Sequence, residues 1–279
     1  MAYQYGFSDA HADSVFDEKG RGLKARKVLA VLEHHFGGAP PLERMSLLDI
    51  GCSTGLMTTH YGARFRCVIG TDIDLPAVRH AVNNAAGANL GYSLQDGMRL
   101  AFRAETFEVV VCNHVYEHVP DSRLLLEEIR RVLKPGGVCY FAAGNRLAVM
   151  EPHYKLPFLS VVPKSMAHLY LRLLGRGEHY YETHLTIFGL RRLVAGFQVI
   201  DYTARLVDSP EAFCADDMVR SGTWKQRAAS LCVHLAYGLF PTYIWLLEKP
   251  RRVPIGRSQR LFRVETSVSA CSTSSVGRR

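Results

Sequence analysis

The sequence lacks the usual marks of an exported chain. Its first residues, MAYQYGFSDAHADS, contain neither a basic stretch nor an apolar one, so they do not form a secretory signal peptide. Its seven cysteines are an odd number and include no C-x-x-C pair. A chain of 279 residues can bury enough apolar surface to fold without a disulfide or a structural metal. We therefore predict a reducing, cytoplasmic setting.

A long apolar run is also missing. Residues 229–247 come nearest, but they contain His234, Gly238, Pro241 and Thr242, and their final third alternates like a strand. A membrane-spanning helix needs about 20 consecutive residues of stronger apolarity. We expect a core helix followed by a strand in this stretch.

Outside one end of the chain there is little net positive charge. The net charge is +8, and residues 248–279 hold eight basic and two acidic residues, so the remainder is nearly neutral. We predict that 251–279 form a basic, disordered tail, because the segment ends in the serine-rich SVSACSTSSVGRR. Such a tail could bring the protein to the periphery of an anionic membrane. A nearly neutral body without an N/D-P-P-Y-like motif makes a nucleic-acid substrate unexpected.

What is present is a regular alternation of strand-like and helix-like segments. Strands are predicted at 47–50, 67–73, 92–96, 107–115 and 138–143, and helices at 55–63, 75–86 and 121–133. LLDI and VVVC are apolar without alternation, as in strands buried on both faces. This rhythm predicts an α/β fold with a parallel sheet and helices on both faces.

The rhythm breaks after residue 143. Residues 144–185 are rich in aromatic residues, histidine and proline, and we interpret them as a lid-like insertion. A helix near 187–195, a strand at 197–204, helical material to about 238 and a last strand at 242–248 follow. The predicted organisation is a helical cap over 1–40, with a helix ending at Gly37-Gly38, a main domain over 41–250 with the insertion at 144–185, and the tail over 251–279.

The stretch LDIGCSTG, residues 48–55, admits two interpretations. Its last five residues spell G-x-S-x-G, the nucleophile elbow of serine hydrolases, with Ser53 as the nucleophile. The whole stretch is also a buried strand followed by a glycine-rich turn, which is how nucleotide-like cofactors are bound. Only about 45 residues precede it and no H-G-G-G-like oxyanion loop is among them, so we favour the cofactor turn.

Acidic residues at strand ends support the cofactor turn. Asp72 ends the second predicted strand, 21 residues after Gly51, where an acid can accept hydrogen bonds from a ribose diol. Asp49 and Asp96 lie at the ends of the first and third predicted strands. All three carboxylates therefore point to the edge at which open α/β sheets bind ligands. A dinucleotide is disfavoured because there is no G-x-G-x-x-G.

Five motifs in order resemble those of class I S-adenosylmethionine-dependent methyltransferases that act on small molecules, including quinone methyltransferases. They are LLDIGCSTG, TDID, QDG, FEVVVCNHVYEHV and RRVLKPGG. The resemblance covers about residues 45–140 well and the remainder loosely; Ser53 stands where many members have glycine. It implies a Rossmann-like, seven-stranded, mostly parallel sheet with an antiparallel last strand.

The resemblance also implies a role for each matched residue. S-adenosylmethionine would be the cofactor, with Gly51, Cys52, Ser53 and Gly55 lining its methionyl part and Asp49 orienting its amino group. The ribose would bind Asp72, and the adenine would lie beside Ile73, Asp96 and Gly97. Bordering the reactive sulfonium would be Asn113 and His114.

The H-x-x-E-H stretch at residues 114–118 has the spacing of a zinc protease motif. That motif requires a helix, whereas here it follows a predicted strand and is stopped by Pro120, so we interpret it as a pocket loop. Some quinone O-methyltransferases resemble this segment and carry a divalent ion there. Glu117 and His118 would match, but His114 replaces an acid, and we expect no metal.

The methyl acceptor is less clearly encoded. The general base that would take a proton from the acceptor is predicted to be His118 or His153, with His179 and His184 as further candidates. PFLSVVP and MAHLYLRLLG in the insertion favour a lipophilic acceptor such as a lipid, a quinone or a polyketide-like molecule, although they equally suit packing of the lid. We predict methyl transfer to a small acceptor by in-line displacement. The alternative is an S-adenosylmethionine-binding sensor or partner subunit without transferase activity.

Overall fold

A computed structural model describes residues 3–85 and 87–251. Apart from Arg251, the predicted basic tail lies outside the described residues. The strands are β1 Ser46–Ile50, β2 Cys67–Asp72, β3 Leu90–Leu94, β4 Phe107–Asn113, β5 Leu133–Gly144, β6 Met150–Glu151, β7 Leu156–Pro157, β8 Gln198–Asp201 and β9 Thr242–Glu248. The helices are α1 Phe7–Ala10, α2 Ala12–Val15, α3 Glu18–Phe36, α4 Leu56–Gly62, α5 Leu75–Asn84, α6 Ser122–Val132, α7 Lys164–Leu173, α8 Ile187–Leu193, α9 Thr203–Asp208 and α10 Trp224–Leu235.

Seven of the strands form one sheet in the order β3-β2-β1-β4-β5-β9-β8. The first five strands run parallel, whereas β9 is antiparallel to both β5 and β8. The order reverses between β1 and β4, which is the point where open α/β sheets bind their ligands. The predicted seven-stranded, mostly parallel sheet with an antiparallel last strand is confirmed.

The sheet is buried on both faces, as its apolar runs predict. Along β4, Val109 and Val111 pack into one apolar cluster with α3 and α4, while Val110 and Cys112 pack into another with α6 and α8. Successive strand residues point to opposite faces, so each face of the run needs its own helical cover. Both layers hold the carboxyl ends of the strands rigidly in one row.

The N-terminal region contributes one long helix and two short ones. In α3, the Asp17 side chain accepts a hydrogen bond from the Gly20 amide, and Gly37 ends the helix in the left-handed conformation at φ +56°. The predicted helix end at Gly37 is confirmed. Ahead of it, α1 is tied to the main domain because the Ser8 amide donates to Asp74 Oδ2 over 2.8 Å.

The predicted insertion, residues 144–185, has its own small core. It holds the β6–β7 hairpin and α7, whose Ala167 and Leu171 pack with Leu156, Leu159 and Tyr180. The opposite side of α7 leaves Met166, Leu169 and Leu173 exposed. Within residues 3–85 and 87–251, no helix has the length and apolarity that crossing a membrane requires.

Three sequence-based boundaries are wrong. β3 ends at Leu94, so Asp96 lies two residues beyond the strand rather than at its end. The strand predicted to begin at residue 138 begins five residues earlier, because β5 starts at Leu133. The strand predicted at 197–204 stops at Asp201, since α9 begins at Thr203.

Candidate active site

The turn after β1 is built on two glycines with positive φ. Gly51 (φ +74°) and Gly55 (φ +77°) adopt the left-handed conformation that favours glycine. A Cβ on Gly51 would lie 2.6 Å from Val115 Cγ2. The amides of Gly51 and Cys52 both donate to the Thr71 carbonyl, over 2.8 and 3.1 Å, which ties the turn to β2. Neighbouring side chains fill the positions of both missing Cβ atoms, so the turn needs glycine for its conformation and for its packing.

Asp49 lies beneath this turn. It is buried, and its Oδ2 accepts a 2.7 Å hydrogen bond from Thr58 on α4. Burial raises the pKa of Asp49 to about 7, against the opposing effects of Thr58 and the Arg21 guanidinium. A carboxyl group in this state is half protonated near neutral pH, and an approaching cation would favour its ionised form.

Asp72 holds the end of β2 against the same turn. Its Oδ2 accepts from the Ser53 amide at 2.8 Å, and its Oδ1 accepts from the Asp74 amide at 3.0 Å. Burial raises the pKa of Asp72, although the two amides oppose this shift. A carboxylate has about four acceptor positions, so Asp72 can still accept from ligand hydroxyls.

Asp96 faces the same space from the loop after β3. Its Oδ1 accepts from the Met98 amide at 2.8 Å, and its Oδ2 accepts from the Tyr3 hydroxyl at 2.6 Å. This bond raises the pKa of Tyr3 to about 12. At neighbouring Gly97, a Cβ would lie 3.0 Å from Leu125 Cδ1, so the loop packs tightly on α6.

The turn, Asp72 and Asp96 surround one cavity of about 290 Å³ at the carboxyl ends of β1, β2 and β4, whereas Asp49 is buried and does not line it. Ten of the residues predicted to form the site line it: Gly51, Ser53, Asp72, Ile73, Asp96, Gly97, Asn113, His114, His118 and His153. Cys52 was predicted to line the cofactor but is buried beneath the turn, against Gly70 of β2. Gly55 starts α4 and packs near Ala81 and Tyr92, so it too shapes the turn from behind.

The loop after β4 is not helical. His114 has φ +57°, and its Nδ1 lies 3.2 Å from Oε1 of the buried Glu117. Burial raises the pKa of Glu117, but the hydrogen bond from His114 and the nearby histidines outweigh it and lower the pKa to about 2. The Glu117 carbonyl accepts from the Thr183 amide at 2.8 Å, which fastens this loop to the insertion. The H-x-x-E-H stretch thus lacks the geometry of a zinc protease.

His118 and His153 meet at one side of the cavity. Their ring centroids are 4.9 Å apart at an interplanar angle of 89°, and the Phe7 ring lies 5.2 Å from His118 and 6.2 Å from His153. Burial lowers the pKa of His118 to about 4. Burial also acts to lower the pKa of His153, but the carboxylates of Glu151, Glu182 and Glu117 outweigh it, so the pKa is raised.

The two further candidate histidines lie outside the cavity lining. His184 is buried behind it, with Nε2 3.9 Å from Glu151 Oε1. His179 is exposed, and its ring lies edge-on to that of His168 with the ring centroids 5.4 Å apart. Among the described residues, no group of three or more His, Cys, Asp or Glu side chains could hold a metal ion.

Several cavity residues were missed by the sequence analysis. Arg21 and Lys24 enter from one face of α3, and their i, i+3 spacing on a predicted helix was the available signal. Tyr3, Gln4 and Phe7 come from the N-terminal segment, where no periodic pattern marks them. The buried Glu151 was also missed, although it stands two residues before His153.

Comparisons with known proteins identify the central part of the chain. Residues 48–141 match the methyltransferase domain family. The ubiquinone biosynthesis O-methyltransferases of Chelativorans sp. and Rhizobium rhizogenes are 32% and 34% identical to this chain, over 53% and 52% of its length. The matched region spans 57% and 55% of those relatives, little more than half of each.

Solved structures agree on the fold. The plantazolicin methyltransferase BpumL, solved with a monoazolic desmethylPZN analog and SAH, is 19% identical and has a TM-score of 0.55, covering 88% of each chain. A structure from the complex of the Haloferax volcanii Trm112 methyltransferase activator with a putative methyltransferase is 19% identical and has a TM-score of 0.54. That likeness covers 90% of this chain and 100% of the other.

The residues of the cavity fit the cofactor of this fold. Gly51, the Asp72 and Asp96 carboxylates and the Arg21 guanidinium line the cavity, which supplies acceptors for hydroxyl and amino groups and a cation for a carboxylate, while Asp49 is buried beneath the turn. By its matched domain over residues 48–141 and by its fold, the chain is similar to class I S-adenosylmethionine-dependent methyltransferases.

Proposed function

We propose that this protein transfers a methyl group from S-adenosylmethionine to a hydroxyl or other nucleophile of a small acceptor. One observation carries the proposal: a single cavity joins the carboxylates Asp72 and Asp96 to the imidazoles of His118 and His153. A protein that only binds S-adenosylmethionine, without transferring its methyl group, would not need two imidazoles in the same cavity. The relatives named as O-methyltransferases also favour the enzyme.

Each end of the cofactor would have its own partners. We assign Asp72 to the ribose hydroxyls, Asp96 with Gly97 to the adenine, Ile73 to the side of the adenine, and Asp49 with Arg21 to the amino and carboxylate groups. Ser53 and Gly51 would meet the methionyl chain with their backbone, supported from behind by Cys52 and Gly55. The donor supplies a methyl group on a sulfonium that is already a good leaving group.

The protein's main contribution would then be positioning. Holding nucleophile, methyl carbon and sulfur in line can lower a barrier by about 7–11 kcal/mol. Asn113 and His114 border that position from the end of β4, while His118 and His153 face it from the acceptor side. A base within reach of an acceptor hydroxyl adds about 10²- to 10⁴-fold.

The acceptor is proposed to be lipophilic. Phe7, Val115 and Val119 give the cavity an apolar part of its lining. Outside the cavity, α7 exposes Met166, Leu169 and Leu173 on the insertion that carries His153. An apolar helix face at the surface suits contact with a lipid headgroup region, from which such an acceptor could be drawn. We therefore extend the proposal of peripheral membrane contact from the basic tail to α7.

Calorimetry with S-adenosylmethionine tests the cofactor assignment. Asp72→Asn keeps the size of the side chain but removes its charge, so the affinity should fall by about 1–3 kcal/mol. Asp201→Asn on β8, outside the cavity lining, is the matched control and should bind the cofactor as the wild type does. Equal affinity of Asp72→Asn and wild type would contradict the ribose assignment.

A labelled-methyl screen tests the reaction itself. The protein and S-adenosylmethionine labelled in the methyl group are incubated with lipid and polar fractions of a cell extract. Label in a lipid fraction supports a lipophilic acceptor, and label confined to the polar fraction contradicts that part of the proposal. Cofactor binding without label in any fraction favours the sensor or partner subunit.

Vesicle flotation tests the membrane contact. The wild-type protein should float with vesicles that contain anionic lipid, and Leu169→Ser with Leu173→Ser should reduce the floating fraction. Leu231→Ser with Leu235→Ser changes two equally exposed leucines of α10 and is the control. Equal flotation of the α7 variant and wild type would remove α7 from the proposal.

A further inference from the structure

The two cavity imidazoles have different partners at Nδ1. His153 Nδ1 lies 2.8 Å from Oε1 of Glu151, whose side chain is 0% exposed. His118 Nδ1 lies 3.1 Å from Oε1 of Gln4, and its nearest carboxylate, Glu182, is 3.8 Å away. One imidazole is therefore backed by a carboxylate and the other by an amide.

This difference decides which nitrogen carries the proton. An ionised carboxylate can only accept, so His153 must be protonated at Nδ1, which leaves its lone pair at Nε2. The Gln4 amide has both a donor and an acceptor end, so it is compatible with either tautomer of His118. The tautomer of His153 is thus set by the structure, whereas that of His118 is not.

Glu151 is itself held in place. Its Oε2 accepts a 2.7 Å hydrogen bond from the Tyr154 amide, in the hairpin that carries both Glu151 and His153. Burial acts to raise the pKa of Glu151, but the hydrogen bond from His153 and the nearby His184 ring outweigh it and lower the pKa to about 2. The carboxylate stays ionised across the pH range in which a histidine titrates.

We propose that Glu151 is a positioning residue that fixes His153 with its lone pair at Nε2, so that His153 rather than His118 takes the proton of the methyl acceptor. The proposal rests on the proposed function and names the base within it. The acceptor oxygen forms its bond to the methyl carbon as the carbon–sulfur bond breaks, and its proton moves to His153 Nε2. The products are the methylated acceptor, the demethylated cofactor and a protonated imidazole beside Glu151.

Other ionisable groups also face His153. Glu117 and Glu182 act to raise its pKa, while a protonated His153 in turn lowers the pKa of His11 and of His118. Glu151 contacts the ring directly, so its removal should have the largest single effect. The variant Glu151→Gln preserves size and one acceptor oxygen and removes the charge.

Histidine NMR on the full-length protein bound to S-adenosylhomocysteine tests the positioning. Ring ¹⁵N shifts should show His153 as the Nδ1–H tautomer in the wild type, its signals being assigned by their loss in His153→Asn. In Glu151→Gln the pKa of His153 should fall by about one unit or more, because a neighbouring opposite charge has gone. The control Asp208→Asn removes the carboxylate 2.8 Å from the exposed His234 and should leave His153 unchanged.

The assignment of His153 as the base is tested by methyl transfer kinetics with the extract fraction that accepts label. Glu151→Gln should lower kcat about 10²-fold and leave the cofactor Kd unchanged. Its acid limb should move to lower pH, since a base with a lower pKa is deprotonated at lower pH. An Nε2–H tautomer in the wild type, or an unchanged His153 pKa in Glu151→Gln, would overturn the proposal whatever the transfer assay shows. The expected tautomer without transfer to any fraction would instead contradict the proposed function.

Discussion

The two sides of the cavity are constructed differently. The cofactor side is a short run of backbone at the ends of β1 and β2, with Gly51 and Asp72 only 21 residues apart in sequence. The acceptor side brings Phe7, His118 and His153 together from three distant segments. Turn chemistry leaves a local pattern in a sequence, whereas side chains gathered from distant segments leave none.

The largest expected effect lies on the acceptor side. His153→Asn should lower kcat by about 10²- to 10⁴-fold, because it removes the proposed base. The cofactor Kd should stay near that of wild type, since His153 does not contact the glycine turn. Calorimetry and the transfer rate with the labelled extract fraction measure the two quantities separately.

His118→Asn is the matched comparison on the neighbouring ring. The low pKa of His118, about 4, makes it a weak base, so its loss should lower kcat less than the loss of His153 does. A larger loss in His118→Asn would reverse the proposed assignment of the two histidines.

The success of the sequence-based predictions also differs between the local turn and the side chains that come from distant segments. The strand order and the acids near β1 and β2 depend on local patterns and parallel topology, and the fold that they predict is confirmed. Asp96 was placed at a strand end although β3 stops at Leu94, because its half-buried residues lack a strong period. Glu151 and Gln4 could not be found, since their partners are set by how the insertion and the N-terminal segment pack.

The next largest effect is on the cofactor side. Gly51→Ala forces an L residue into φ +74° and brings a Cβ within 2.6 Å of Val115 Cγ2. The left-handed conformation alone costs about 1–2 kcal/mol. Because the displaced backbone is the proposed cofactor contact, the affinity for S-adenosylmethionine should fall about tenfold or more.

Gly175→Ala is the control that separates the effect of backbone strain from the loss of the proposed cofactor contact. Gly175 in the insertion also has positive φ, +60°, but no atom lies within 4 Å of the point that a Cβ would occupy. This variant should lose stability in a thermal melt while binding the cofactor normally in calorimetry. Equal affinities of the two variants would show that Gly51 matters only for folding.

A smaller effect is expected from pH. The pKa of Asp49 is raised to about 7, so near pH 6 its carboxyl group is mostly protonated. A cationic amino group bound beside it would favour the carboxylate, so binding should release up to about one proton at pH 6. The affinity should accordingly rise between pH 6 and 7, by at most about tenfold.

Calorimetry in two buffers of different ionisation enthalpy counts these protons. Asp49→Asn cannot titrate, so its binding should release fewer protons than that of the wild type and depend less on pH in this range. Equal proton release by the two proteins would mean that Asp49 does not titrate on binding.

The smallest effect is expected at Ser53, the residue that could be mistaken for a nucleophile. It shares a positive φ, +51°, with the serine of a nucleophile elbow, but the group it gives to the site is its amide, which donates to Asp72 at 2.8 Å. Ser53→Ala keeps that amide, so stability should change by about 0.5 kcal/mol or less and methyl transfer should be largely retained. Loss of nearly all activity in Ser53→Ala would instead support the interpretation of Ser53 as a nucleophile. Ser53→Gly keeps the amide as well and relieves the left-handed strain, so retained activity in both variants would assign the turn's role to its backbone.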